Sequence, residues 1–111
     1  MFDQQVQGGV AQGLGYALME EVVTRSGAVR SGDFATYLIP GALDLPEVLS
    51  CAFQGNEHTG PFGMKGVGEV ALNGPLPAVA NGVADACCMR IFQAPLTPER
   101  ILEAWEKHQC A

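Results

Sequence analysis

The run Gly63-Met64-Lys65-Gly66-Val67-Gly68-Glu69 holds the residues best suited to chemistry. Three of its seven residues are glycine, which lets backbone press close to another molecule and reach φ values other residues avoid. One carboxylate, Glu69, closes the run where a general base would sit. On chemistry alone this reads as a cofactor or anion cradle with a single proton-handling group. The structural alternative is a glycine loop between packed elements with a surface glutamate. A second polar set lies near the N-terminus, where Gln5 and Gln12 fall two helical turns apart on a common face. An amide donates and accepts at once, so it can read a heterocycle edge. Solvated glutamines on a packed helix are the plain alternative, above all for Gln12.

The elements that must position these groups follow from the apolar pattern. Phe2, Val6, Val10, Leu14 and Leu18 recur every four residues and predict a helix over 3–22, with Asp3 placed to cap it. Gly8, Gly9, Gly13 and Gly15 cost about 1 kcal/mol each against alanine in a helix. That cost implies a partner packed on the backbone, and Gly9 and Gly13 share the face for it. Val22-Val23-Thr24 and Val29–Tyr37 predict an irregular hairpin turning at Ser26-Gly27. Glu47–Phe53 alternates polar and apolar residues as a strand with one buried face does, and 54–68 reads as a glycine-rich loop. Leu76-Pro77 opens a helix over 78–91, apolar almost all round and so expected to be central and buried. Thr97-Pro98-Glu99 starts a third, with Ile101, Leu102 and Trp105 on its inner face. The fold class is α+β: a long N-terminal helix, a small antiparallel sheet and two C-terminal helices.

Composition narrows the function. The 111 residues suit one domain over 1–111, 48% apolar and only 16% charged, a surface too poor in charge not to be covered by something else. Net charge is −6 and no Lys/Arg cluster occurs, so nucleic acid is not an expected partner. Cys51, Cys87, Cys88 and Cys110 show no C-x-x-C spacing and are expected to be buried thiols of a reducing compartment. His58 and His108 lack ligand spacing, so no protein-held metal is expected. No leader-like segment and no apolar run of about 20 residues is present, and the expectation is a soluble, cytoplasmic protein.

Taken together, the motifs resemble a known family. Gln5-Val6-Gln7-Gly8-Gly9-Val10-Ala11-Gln12-Gly13-Leu14-Gly15 is similar to the Q-x-x-G-x-x-x-Q-G-x-G helix of the xanthine dehydrogenase and aldehyde oxidase family, from its molybdenum-cofactor-binding subunit. Tyr37-Leu38-Ile39-Pro40 resembles the Y-x-I-P segment, and Lys65–Glu69 the K-x-V/I-G-E signature. Pro77–Ala86 and Leu96–Ile101 resemble the C-terminal pattern, so the likeness runs along essentially the whole chain in family order.

The resemblance implies a molybdenum centre held by pterin dithiolenes, which hydroxylates an aldehyde or N-heterocycle carbon with oxygen from water. It implies that Glu69 is the general base toward the metal's hydroxyl ligand, that Gln5 hydrogen-bonds the pterin, and that Gly66, Val67 and Gly68 bring backbone beside the centre. Protein would then place the cofactor and move protons, leaving the hard chemistry to the cofactor. The family's molybdenum-binding portion is several times longer than this chain. The resemblance therefore implies a C-terminal part of a larger molybdopterin-binding domain: a separately encoded piece, a truncated product or an expressed fragment. Partners would be the rest of that subunit and iron–sulfur and FAD-bearing subunits, with a small-molecule substrate, self-association when isolated, and no catalysis alone. The alternatives are a non-catalytic assembly or interaction module that keeps the fold without cofactor, and a small α+β domain whose glycine loop binds an anion.

Overall fold

A computed structural model describes residues 1–55 and 58–109. Cys110 and part of the expected 54–68 loop lie outside the described residues.

Helix α1 spans Phe2–Leu18. Its N-cap is Met1, and Asp3 sits inside the first turn, where its carboxylate accepts a hydrogen bond from the Ser50 hydroxyl. That differs from the capping role read in the sequence, but an acid there still favours the positive end of the helix dipole. The helix ends four residues short of 22. Met19 and Glu20 both donate their N–H to the Gly15 carbonyl, at 2.9 and 2.8 Å, closing the last turn. Its buried residues are Gly9, Gly13, Gly15 and Ala17. The buried stripe is thus built of small residues, and the larger apolar ones flank it.

Strands β1 (Thr24–Arg25) and β2 (Ala28–Val29) pair antiparallel, Thr24 opposite Val29 and Arg25 opposite Ala28. Ser26 and Gly27, at φ 49° and 77°, form the two-residue turn whose twist suits a hairpin. The return strand stops at Val29 rather than reaching Tyr37. Ser31 Oγ accepts from Val23 N at 2.8 Å, replacing the next ladder bond. Asp33 Oδ1 then accepts from the N–H groups of Ala35 and Thr36, both at 3.0 Å, and pulls the backbone into a turn. The strand expected over 47–53 does not form either. An alternating pattern becomes a strand only against a partner edge, and among the described residues none pairs with it.

Two 3₁₀ turns follow, Pro61–Gly63 and Val70–Asn73, and the second leads directly into α2, Pro75–Cys87. Helix α2 begins three residues before the expected start because Pro75 and Pro77 both fit a first turn. It stops at Cys87, not at 91, because Cys88 takes a left-handed cap at φ 54°. It has no buried residue, contrary to the expected central position. An all-apolar helix is buried only when neighbours cover every side, and within this chain α1 and the 70–73 turn cover one. The thiols are not buried either: Cys51 and Cys88 are exposed and Cys87 is partly so.

Helix α3 runs over Pro98–Gln109 and Thr97 caps it as expected, its Oγ1 accepting from Arg100 N at 3.4 Å. Leu102 and Trp105 remain about half exposed, so the expected inner face has little to pack on. The largest apolar groups that are buried are Met89 and Leu96, and Leu96 lies beside Ala17 at the C-terminal end of α1. Leu96 N donates to Ala17 O at 2.6 Å, and Arg100 pairs with Glu21, which ties the 94–100 region to that end. The radius of gyration, 17.8 Å, exceeds the roughly 13 Å of a compact domain of this length. The Val70–Asn73 turn and α2 lie against α1 as an open layer rather than a closed globule.

Candidate functional site

Gln5 and Glu69, 64 positions apart in sequence, meet in one cleft of about 310 Å³. Helix α1 supplies one wall through Gln4, Gln5, Gly8 and Gln12, and the end of the glycine loop supplies the other through Gly68 and Glu69. Two features hold the walls together. The turn Val70–Asn73 packs on the small face of α1, where a β-carbon placed on Gly9 would lie 2.9 Å from Ala71 Cβ and 3.2 Å from Leu72 N. The same addition at Gly13 would meet Leu72 O and Pro75 Cγ, both at 2.8 Å. Only glycine permits this approach. The second feature is a hydrogen bond from Gln5 Nε2 to Gly68 O at 3.0 Å.

Glu69 occupies the N-cap position of the 70–73 turn at φ −107° and ψ 17°, its carbonyl accepting from Leu72 N at 3.1 Å. Its side chain caps nothing and is exposed, and its carboxylate has no hydrogen bond or ion pair among the described residues. The group is held by its backbone and left free at its oxygens. Gln12 donates to Tyr16 Oη at 3.2 Å and so spends one donor within its own helix. Gly66 and Val67 are not part of the cleft lining, although they belong to the same loop. Sequence reading missed Gln4 and Gly8, whose signal was the i, i+4 spacing that places Gln4 above Gly8. Larger hollows lie elsewhere, one of about 460 Å³ between Arg90 and Lys107 and one of about 710 Å³ beside Asn81 and Arg90. Both are open surface grooves lacking glycine walls.

The glycines divide by environment. A β-carbon on Gly8, Gly66 or Gly68 would meet nothing within 4 Å, and none of the three has a left-handed φ. The chain's own packing therefore does not need glycine there, whereas bare backbone facing a ligand would. The donor set is one of side-chain amides, main chain and a carboxylate. Among the described residues no three His, Cys, Asp or Glu side chains come together to hold a metal. These residues fit a flat, polar heterocyclic cofactor that carries its own metal ligands.

Comparison with known proteins agrees. A molybdopterin cofactor-binding domain model matches residues 1–46. The chain is 35% identical over 103 residues to a probable xanthine dehydrogenase subunit of Bacillus subtilis, covering 93% of this chain and 14% of that protein. It is 37% identical over 101 residues to a putative xanthine dehydrogenase molybdenum-binding subunit of Escherichia coli, covering 89% and 13%. Against an aldehyde oxidoreductase of Megalodesulfovibrio gigas the identity is 35% over 105 residues, covering 92% and 11%. Among solved structures, quinoline 2-oxidoreductase of Pseudomonas putida superposes with a TM-score of 0.84 at 32% identity, over 94% of this chain and 14% of that one. A Cu,Mo-CO dehydrogenase superposes at 0.83 with 27% identity, over 96% and 14%. The chain thus spans about one seventh of the length of the proteins it matches. Over nearly all of its own length, in sequence and in fold, it matches a part of the molybdenum-binding subunit of the xanthine dehydrogenase and aldehyde oxidoreductase family.

Proposed function

We propose that residues 1–111 are the C-terminal part of a molybdopterin-binding domain in an oxidative hydroxylase acting on an aldehyde or N-heterocycle. The observation that carries this reading is the meeting of Gln5, Gly8 and Gly68 in one cleft with Glu69, whose carboxylate has no partner among the described residues. When bound, the cofactor supplies two-electron oxidation of a substrate carbon with water as the oxygen source. Gln5 holds the cofactor edge through its carbonyl oxygen and the amide hydrogen not given to Gly68. Gly66, Val67 and Gly68 give backbone groups to the loop beside the cofactor, bare of side-chain bulk at the two glycines. Glu69 acts as general base, an Oε atom taking the proton of the water-derived nucleophile, and both its oxygens are available, since no described residue pairs with them.

The remaining parts of the machinery follow from the same reading. The rest of the molybdenum-binding subunit supplies the other walls of the site and the substrate pocket. Iron–sulfur and FAD-bearing subunits take the electrons away. The test is molybdenum and pterin content of the assembly that contains this chain, comparing wild type with Gly68→Ala. The expected result is near-stoichiometric cofactor in wild type and a marked loss in the variant at unchanged chain content. Wild-type assembly devoid of molybdenum and pterin after expression with cofactor supply contradicts the reading.

A further inference from the structure

The bond between Gln5 and the loop has a consequence separate from cofactor contact. Gln5 Nε2 donates to the carbonyl of Gly68, the residue immediately before Glu69. Beyond Gly68 the backbone is anchored by the packing of Ala71 and Leu72 on Gly9 and Gly13. Before it, Gly66 and Gly68 have empty space where side chains would be, and among the described residues 65–68 make no backbone-to-backbone hydrogen bond. The approach to Glu69 is thus fixed on its C-terminal side by packing and on its N-terminal side by one side-chain amide. We propose that Gln5 is a positioning residue for Glu69: by holding the Gly68 carbonyl it sets the peptide from which the base projects. The inference rests on the reading of Glu69 as general base.

An amide has two N–H groups and a carbonyl oxygen, so one Gln5 side chain can meet Gly68 and a cofactor edge together. The seat of the cofactor and the seat of the base are then mechanically coupled through a single residue on a rigid helix. A base held this way loses efficiency when its peptide wanders by even an ångström, because proton transfer needs hydrogen-bond reach in the productive pose. Loss of the bond therefore falls on the chemical step more than on substrate affinity.

The experiment compares Gln5→Met and Gln5→Glu with wild type in the full assembly. Methionine keeps the length without donor or acceptor, and ionised glutamate keeps the shape and acceptors but cannot donate to Gly68. Trypsin cleavage after Lys65 is timed on cofactor-free protein, so that pterin contacts do not enter. Cleavage there is expected to be about tenfold faster in both variants, the scale set by one net hydrogen bond, while cleavage after Arg100 in α3 stays unchanged. In cofactor-loaded protein, kcat is expected to fall at least about tenfold with KM changing less than about threefold. Unchanged cleavage after Lys65 in both variants overturns the proposal. Faster cleavage with an unaltered kcat at full loading also overturns it, since the bond would then not serve the base. Failure of the wild type to bind cofactor contradicts the functional reading instead, and the cleavage result still judges the hydrogen bond itself.

Discussion

The four glycines of the first helix look alike in sequence and differ in what surrounds them. At Gly9 and Gly13 an added methyl runs into the backbone and side chains of 71–75. Gly9→Ala and Gly13→Ala are each expected to destabilise the fold by about 1–2 kcal/mol, overpacking outweighing the gain in helix propensity. At Gly8 the methyl meets open space, so Gly8→Ala is expected to stabilise by up to about 1 kcal/mol and yet lower cofactor loading. Denaturant melts and metal analysis read both effects, and a stabilised Gly8→Ala at full loading would remove that glycine from the site. Tyr37 carries a second residue-scale expectation. Its hydroxyl donates to Glu20 Oε2 at 2.7 Å, and that bond to a carboxylate pushes the phenol's pKa above its ordinary 10.0. Because the folded value is raised, the contribution is fully present below pH 10 and is lost as pH rises through the folded value. Melting temperature followed into alkali is expected to drop more steeply in wild type than in Tyr37→Phe.

At the scale of elements, the cap of α3 offers a clean test. Thr97 Oγ1 accepts from Arg100 N, and Thr97→Ala is expected to cost about 1 kcal/mol in a denaturant melt. An undiminished midpoint would mean the helix start is held by the Leu96–Ala17 and Arg100–Glu21 ties instead. The helices were legible in the sequence because periodicity and capping are local. The Thr97-Pro98-Glu99 start and the Ser26-Gly27 turn appear where their residue chemistry puts them. The misses have a common cause. Glu47–Phe53 and the Pro75–Cys87 helix carry patterns written for neighbours; among the described residues no strand pairs with the first, and α1 with the 70–73 turn covers one side of the second. The early end of β2 has a different origin, the side chains of Ser31 and Asp33 competing for backbone groups. In the site, Gln5 and Glu69 were readable through motif resemblance, but the bond from Gln5 to Gly68 was not, because it joins positions 63 apart.

Across the whole molecule, the exposed surface is 8593 Å², against about 5,900 Å² for a compact protein of this mass. The excess, about 2,700 Å², is of the size that permanent interfaces bury. Phe34, Leu43, Leu49, Phe53, Phe62 and Phe92 stand nearly fully exposed within it. The isolated chain is therefore expected to self-associate, with light scattering giving a mass that rises with concentration; a clean monomer at high concentration would count against a larger domain around it. The same surface accounts for the low charge fraction, since a face meant for packing has no use for charges. The central claim, however, is that this layer presents Glu69 as the base of a cofactor site, and Glu69→Gln in the complete assembly tests it most directly. Glutamine keeps the size and hydrogen-bonding reach and removes the basic oxygen. The account expects turnover to fall by a factor of about 100 or more with molybdenum and pterin content unchanged. Near-normal turnover at full cofactor loading would contradict it.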